Sequence, residues 1–395
     1  MACHTKPDVV LLSTADWDHP LWTNKQHVAC SLAAVGFRVL YVESLGLRSV
    51  QAKGRDLLRI FRRLCRGLLP PRAVRPGIWV CSPLVVPGGS EGLILKINRL
   101  LLAVSIGAAK ARLNFQHAWL WTYNPLTLRY LNVQDYRLRI YHAVDALQEQ
   151  PGMQRQLIDN EERRLCELVD QVFVTSPQLE LRLLPFAKRL RYDPNVADQM
   201  HFSAAMEVDL TSLPSDLAQI KEPRIGFIGA ISSYKLDFPL IAALALHHPK
   251  WQFVFIGPTA EGEASTDLRL WDGLSNIHCL GPRQYRHLPN YCAGFQCGWL
   301  PLQKNKYTAS MFPMKFFEYL SAGLPIVATR IEALEEFAAV AWLCEPQKND
   351  FSKALQSCLR GDGPNRYQRL AIAKEHTYTA RLDRMLHELK RQELI

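Results

Sequence analysis

"SMFPMKFFEYLSAGLPIVAT", Ser310 to Thr329, is the stretch from which the fold unwinds. Pro313 suits a first helical turn, where its missing N–H costs nothing. Lys315 and Glu318 stand three apart and share a helix face, while Phe316, Phe317 and Leu320 supply a buried side. Gly323 is placed to end the helix in the left-handed conformation, and Pro325 prevents its continuation. "IVAT" then reads as a short buried strand. Two readings of the helix stay open. It is a well-capped helix with a solvated ion pair, or it is an anion site, since a helix start offers free N–H groups and a positive dipole end.

Outward from this stretch, strands and helices alternate twice along the chain. Short apolar runs at 9–13, 38–44, 77–83, 118–123, 138–145 and 171–177 are the expected strands of a first half, with helices over 24–35 and 160–168 among them. A polar interval, 197–224, follows. The alternation restarts with strands expected at 224–231, 251–258, 277–282, 296–302 and 325–329 and a helix at 239–247. From Tyr367 the chain reads as one helix nearly to its end. Near-continuous apolar strands separated by helices indicate parallel sheets covered on both faces. The fold class expected is therefore α/β, with two doubly wound domains facing a cleft at their strand C-terminal edges, where such sheets bind ligands.

Bulk properties agree. A chain of 395 residues is long for a single core, and nearly half its residues are apolar. No stretch has the uninterrupted apolar length needed to span a bilayer, and the first residues lack the pattern of a signal peptide. Ten cysteines show no CxxC, and the closest pair is Cys292 and Cys297, which suits neither metal binding nor a disulfide framework. A cytoplasmic setting is the expectation. The net charge of +10 is concentrated: Arg48 to Arg75 holds nine basic residues and one acid, Asp56. On a helical wheel Arg55, Arg59, Arg62 and Arg66 oppose Leu57, Phe61, Leu64 and Leu68. Residues 55–68 thus read either as a helix for an anionic membrane surface or as one whose apolar side packs on the core. Nucleic acid is not expected as a partner, for want of aromatics interleaved with the basic residues.

In the second half, "GFIGAISSYKLD" sets Gly226 and Gly229 at a strand end, followed by Lys235. Glycine permits close backbone approach and lysine can meet a phosphate as a point charge. Neither the dinucleotide fingerprint nor a Walker loop is present. Together with the opening motif, two phosphate-competent turns fall on one sheet edge, with the Glu318 carboxylate able to accept hydrogen bonds from a sugar diol.

With these residues in view, the chain resembles the two-Rossmann-domain (GT-B) glycosyltransferases, and most of all the bacterial sugar transferases of surface-polysaccharide synthesis, of the xanthan glucuronosyltransferase-like and teichuronic-acid type. The similar stretches include "WDHPLWTNKQHVACSLAAVGFRVLYVES", "YHAVDA", "GFIGAISSYKLDFPLIAALALHHPKWQFVFIGP", "LGPRQYRHLPNYCAGFQCGWLPLQKNKYTAS" and the opening motif. The resemblance implies an acceptor domain over 1–197, a nucleotide-sugar domain over 198–372, and a C-terminal helix, 373–395, returning to the first domain. It implies that Lys235 and Lys315 meet the diphosphate beside Gly229 and Met314, that Glu318 meets the ribose, and that backbone from Arg283 to Tyr285 frames the base. The donor substrate would be a nucleotide-diphosphate sugar, with no cofactor and no metal, and the acceptor a glycan or lipid-linked hydroxyl; the basic stretch and the apolar run Leu93 to Ile106 suggest an acceptor held at a membrane face.

Attack by that hydroxyl needs a base within hydrogen-bond reach, and leaving-group charge would be met by lysines and helix dipole. Asp145, ending its strand, is the candidate, with His19 and Asp16 as competitors. "DWD" (16–18) has the form of a metal-binding DxD but is read as an acceptor-side loop, and His142 as a sheet residue. Two departures from the family stand out: "NVAD" (195–198) lacks the usual glycine, and Ser310 replaces the first of two glutamates of the retaining branch, which favours inverting chemistry. A nucleotide-sugar epimerase of the same fold and a non-catalytic binding subunit are the rival readings.

Overall fold

The computed structural model describes residues 6–19, 22–45, 67, 69–86, 92–259 and 266–395. The basic stretch 55–68 therefore lies outside the described residues apart from Gly67. Strands β1 (Asp8–Leu12), β2 (Arg38–Val42), β3 (Arg72–Arg75), β4 (Ile78–Cys81), β5 (Trp119–Thr122), β6 (Arg139–Ala143), β7 (Gln171–Val174) and β8 (Leu190–Tyr192) form one sheet. Its order is β3-β4-β2-β1-β5-β6-β7-β8. All neighbours are parallel except β3, which runs antiparallel to β4. Strands β9 (Arg224–Ile228), β10 (Gln252–Ile256), β11 (Ile277–Gly281), β12 (Cys297–Leu300), β13 (Ile326–Thr329) and β14 (Trp342–Cys344) form a second, parallel sheet ordered β11-β10-β9-β12-β13-β14. In each sheet the first long strand sits in the interior and the chain winds outward both ways, the doubly wound arrangement.

The sheets form because their strands are apolar on both faces. Val10, Leu12, Leu40, Val42 and Leu120 belong to one core layer, and the alternate residues Val9, Leu11, Val39, Tyr41 and Trp121 to the other. That follows from side chains alternating across the pleat. Helix α1 (Asn24–Ala34) covers the second layer through Val28, Ala29 and Leu32, and α2 (Gly92–Leu113) covers the first through Leu102, Ile106 and Ala109. In the second half, α3 (Phe238–His247), α4 (Lys315–Ser321) and α5 (Lys348–Arg360) enclose a single large core.

Three strands escape the sequence pattern: β3, β8 and β14 are short and sit at or next to sheet edges, so they lack the continuous apolar run of the central strands. The terminal segment is also two helices rather than one, α6 (Arg366–Glu375) and α7 (Tyr378–Arg391). Thr377 divides them, its side chain accepting from the Ala380 N–H as an N-cap. At the break, the Ala197 N–H donates to the His376 carbonyl at 3.2 Å, so the two segments crossing between the sheets are bonded to each other. α7 lies on the first sheet, with Tyr378, Leu382, Met385 and Leu389 in its core layer. Arg381 is fully buried there, donating to Asn24 Oδ1 at 2.8 Å and to the Asp193 carbonyl at 3.3 Å.

Candidate active site

Between the sheets lies a cleft of about 660 Å³, walled from one side by Asp16, His19, Trp22, Lys25 and Asp145 and from the other by Gly229, Tyr234, Lys235, Tyr307, Met314 and Lys315. The loop carrying Asp16 and His19 is firmly held. Tyr41 Oη donates to the Ala15 carbonyl (3.0 Å), Gln26 Nε2 to the Asp16 carbonyl (3.0 Å), and the Trp17 N–H to Glu43 Oε1 (2.9 Å). Asp18 pairs with Arg72 at 2.9 Å on the exposed side, whereas Asp16 lines the cleft.

Asp145 stands two residues beyond β6 and receives the Tyr307 hydroxyl from across the cleft at 3.5 Å. Beside it is Lys25, in the first turn of α1. Lys25 is buried, its ammonium 5.7 Å from the Tyr123 ring centroid. Burial lowers its pKa below the ordinary lysine value; Asp145 opposes that shift and Lys235 adds to it. These three charged groups are therefore close enough to feel one another, although they come from positions 25, 145 and 235.

On the opposite wall, the loop after β9 brings Lys235 into the cleft. Its backbone is fixed by the Ser232 carbonyl and by the Gln303 N–H, each at 3.0 Å. Tyr234 and Tyr307 flank it edge to face. Gly229 lines the cleft, and a Cβ on its neighbour Gly257 would lie 1.9 Å from the Gly229 carbonyl oxygen, so these two turns touch through bare backbone. Gly226 has another purpose than the phosphate approach expected of it. Its Cβ would fall 2.1 Å from the Phe295 ring, so the glycine makes room for core packing.

Lys315 also reaches the cleft, and its Nζ is bound at 2.5 Å to Glu318 Oε2. Glu318 itself is buried behind Lys315 and does not form part of the cleft wall. α4 has only seven residues, so its macrodipole is small and the lysine charge dominates this corner. Arg283 and Tyr285 are not brought to the wall of the cleft either. The Arg283 guanidinium is bound to Asp216 and, at 2.7 Å, to the Tyr291 hydroxyl. The Tyr285 carbonyl receives a hydrogen bond from His201 Nε2 at 2.9 Å, taken in the tautomer that donates, while its ring stacks on His201 and faces Trp22 of the first domain. Tyr285 does sense Glu318: its phenol pKa is raised by burial first and by that carboxylate second. His142 is a core residue, with burial and the adjacent Arg381 holding its pKa well below the usual histidine range.

The sequence reading missed Asn24, Lys25 and Asn195. Asn24 Nδ2 donates to Asn195 Oδ1 (2.9 Å), and Asn195 Nδ2 donates to the Phe312 carbonyl (2.7 Å), which ties the first domain to the loop before Lys315. A signal for Lys25 existed: "TNKQ" is a capping box, with Thr23 and Gln26 reciprocally bonded. A lysine inside that first turn opposes the helix dipole, an arrangement that costs stability unless something else requires it.

Known proteins share this architecture. Residues 222–361 match the family described as "Glycosyl transferases group 1". A sucrose-phosphate synthase from Thermosynechococcus elongatus superposes with a TM-score of 0.69 at 17% identity, covering 98% of this chain and 99% of that one. HepE from Anabaena, solved with UDP and glucose, gives a TM-score of 0.65 at 14% identity, covering 97% and 99%. The E. coli trehalose-6-phosphate protein bound with UDP-2-fluoro glucose gives 0.68 at 13%, with the same coverage. The fold is therefore of the GT-B type, two facing Rossmann-like domains. In sequence, a teichuronic acid biosynthesis glycosyltransferase of Bacillus subtilis (strain 168) is 27% identical over 224 residues. That match spans 55% of each chain, so this chain covers about half the length of the curated relative.

Proposed function

We propose that this protein transfers a sugar from a nucleoside-diphosphate sugar to an acceptor hydroxyl, with inverted configuration at the anomeric carbon. One observation carries the reading: two lysines of the second domain, Lys235 from the loop after β9 and Lys315 from the start of α4, share a single cleft with the Asp145 carboxylate of the first. The lysines meet the diphosphate and stabilise the negative charge that develops on it as the glycosidic bond breaks, in the role a metal ion has in other transferases. A diphosphate at this corner competes with Glu318 for Lys315 Nζ. Once Lys315 turns to the phosphate, the Glu318 carboxylate has lone pairs for the ribose hydroxyls. Asp145 accepts the proton of the attacking hydroxyl, and the acceptor, a glycan or lipid-linked hydroxyl, enters along the Asp16–His19 loop.

Uridine diphosphate is the first ligand to try, because solved relatives of the same fold hold UDP and UDP-glucose. A thermal-shift titration with UDP, GDP, ADP, CMP and NAD on wild type and Lys315→Ala tests the donor site. Ligand at a hundredfold excess over its dissociation constant adds about 2.7 kcal/mol of stability. Stabilisation of wild type by one nucleoside diphosphate, lost in the variant, supports the assignment; a response to NAD alone overturns it. The anomeric configuration of the first product, read by NMR, tests the inverting step. Retention would remove Asp145 from its role as base.

A further inference from the structure

Helix α2 is built inside out on one side. The residues it buries are Asn98, Leu102, Ile106 and Ala109, spaced to form a single stripe against the first sheet. Asn98 fixes the helix from that side, accepting from the Val86 N–H and donating to the Val86 carbonyl (3.0 Å). The opposite stripe should be polar. Instead it reads Leu93, Ile97, Leu100, Val104, Ala108 and Ala111, at steps of four, three, four, four and three, which keeps them on one face. Leu93 is 74%, Leu100 65% and Val104 60% exposed.

Against the expectation from sequence that no stretch could span a bilayer, α2 is long and apolar enough to cross one by length and composition. Its packed stripe rules against that, since the helix is already seated on the sheet along its length. What remains is a helix lying flat on the protein with a bare apolar face outward. Contiguous exposed apolar surface of this kind marks an interaction site.

Charge identifies the partner. α2 contains Lys96, Arg99, Lys110 and Arg112 and no acidic residue. Lys96, Arg99 and Lys110 fall along one flank of the apolar stripe, as 100° per residue requires. The sequence from Arg48 to Arg75 carries the same sign, with nine basic residues and one acid. An apolar stripe flanked by cations matches an anionic bilayer surface, with the stripe in the acyl boundary and the cations at the headgroups. α2 also follows β4 in the chain, and β1, β2 and β4 are parallel, so it departs from the sheet edge that carries the cleft.

We propose that α2 docks this protein, in plane, on a membrane rich in anionic lipid, holding the cleft edge of the first domain toward the bilayer. The inference rests on α2 alone and stands whether or not the transferase reading does. It is tested by co-sedimentation with phosphatidylcholine vesicles, with and without phosphatidylglycerol, in the absence of any sugar donor, on wild type, Leu100→Glu/Val104→Glu and Lys96→Glu/Arg99→Glu. Wild type should sediment with the anionic vesicles and be released by salt. Both double variants should bind about tenfold more weakly or worse, with unchanged melting temperatures. Three results overturn the proposal: no binding by wild type, equal binding to both vesicle types, or binding unaffected by the Leu100/Val104 change. A concentration-dependent dimer abolished by Leu100→Glu/Val104→Glu overturns it in favour of a second copy as the occupant. A fall in melting temperature on that change overturns it in favour of a covering segment of this chain.

Discussion

Helices α1 and α2 flank opposite faces of one sheet, yet they break the usual rule of burial in opposite directions. α1 buries Asn24, Lys25, Gln26 and His27 in its first turn, four polar groups in succession. α2 exposes Leu93, Ile97, Leu100 and Val104. Buried polar groups cost stability unless partnered, and exposed apolar stripes cost solubility. Each helix therefore departs from stability at the place where the protein meets something else: the cleft in one case, and on our reading a bilayer in the other. A chain under pressure only to fold would have no reason for either.

The comparison can be broken at several points. Asp145→Asn has the largest expected effect, a loss of about 10²- to 10⁴-fold in turnover, with the nucleotide-induced thermal shift unchanged. If turnover survives, the base lies elsewhere, and His19 is next to test. Lys25→Met should cost about 10²- to 10³-fold in turnover. Its melting temperature should hold, because replacing a buried charge by an apolar chain of similar length is often near neutral. A collapse in stability with turnover intact would make α1 merely structural and dissolve the contrast.

Acidification gives a smaller effect. Burial, then the charges of Lys315, His201 and Arg75, lower the His27 pKa from 6.5 to about 3. Between those values the unfolded chain takes up a proton that the folded protein refuses, so stability falls as pH drops below 6.5. At pH 5 the loss from His27 is about 2 kcal/mol, and His142 acts in the same direction. Melting curves at pH 7 and pH 5 on wild type and His27→Gln check this; an equal loss in both would exonerate His27. The smallest effect belongs to α2: Leu100→Gln should change stability by less than about 0.5 kcal/mol, measured by urea titration.

What the sequence disclosed follows the same division. The central strands were legible because both faces are apolar, as at Val9–Leu12 and Phe253–Ile256. Lys235 and Lys315 were legible because one follows the glycine turn after β9 and the other follows Pro313 at the start of α4. The partners that decide what a side chain can do were not. Nothing near Arg283 announces that Asp216 will take its guanidinium, and nothing near Tyr285 announces Trp22, from more than 260 positions away. Lys25 was hidden for a related reason: its charge is meaningful only once Asp145 and Lys235 are beside it.

The return of α7 to the first sheet has a consequence for biosynthesis. Domains generally fold as units, the earlier ones first, as the chain leaves the ribosome. Here the strands of the first sheet all emerge before residue 193, but the helix that closes one of its faces emerges only after the second domain. Until then the apolar surface meant for Leu382, Met385 and Leu389 stands open, and the Asn24 oxygen awaits the Arg381 guanidinium. The second domain, translated in between, completes itself before the first one can. Nascent chains arrested short of α7 are accordingly the species a chaperone would find, and α7 supplied as a separate peptide is what would release them.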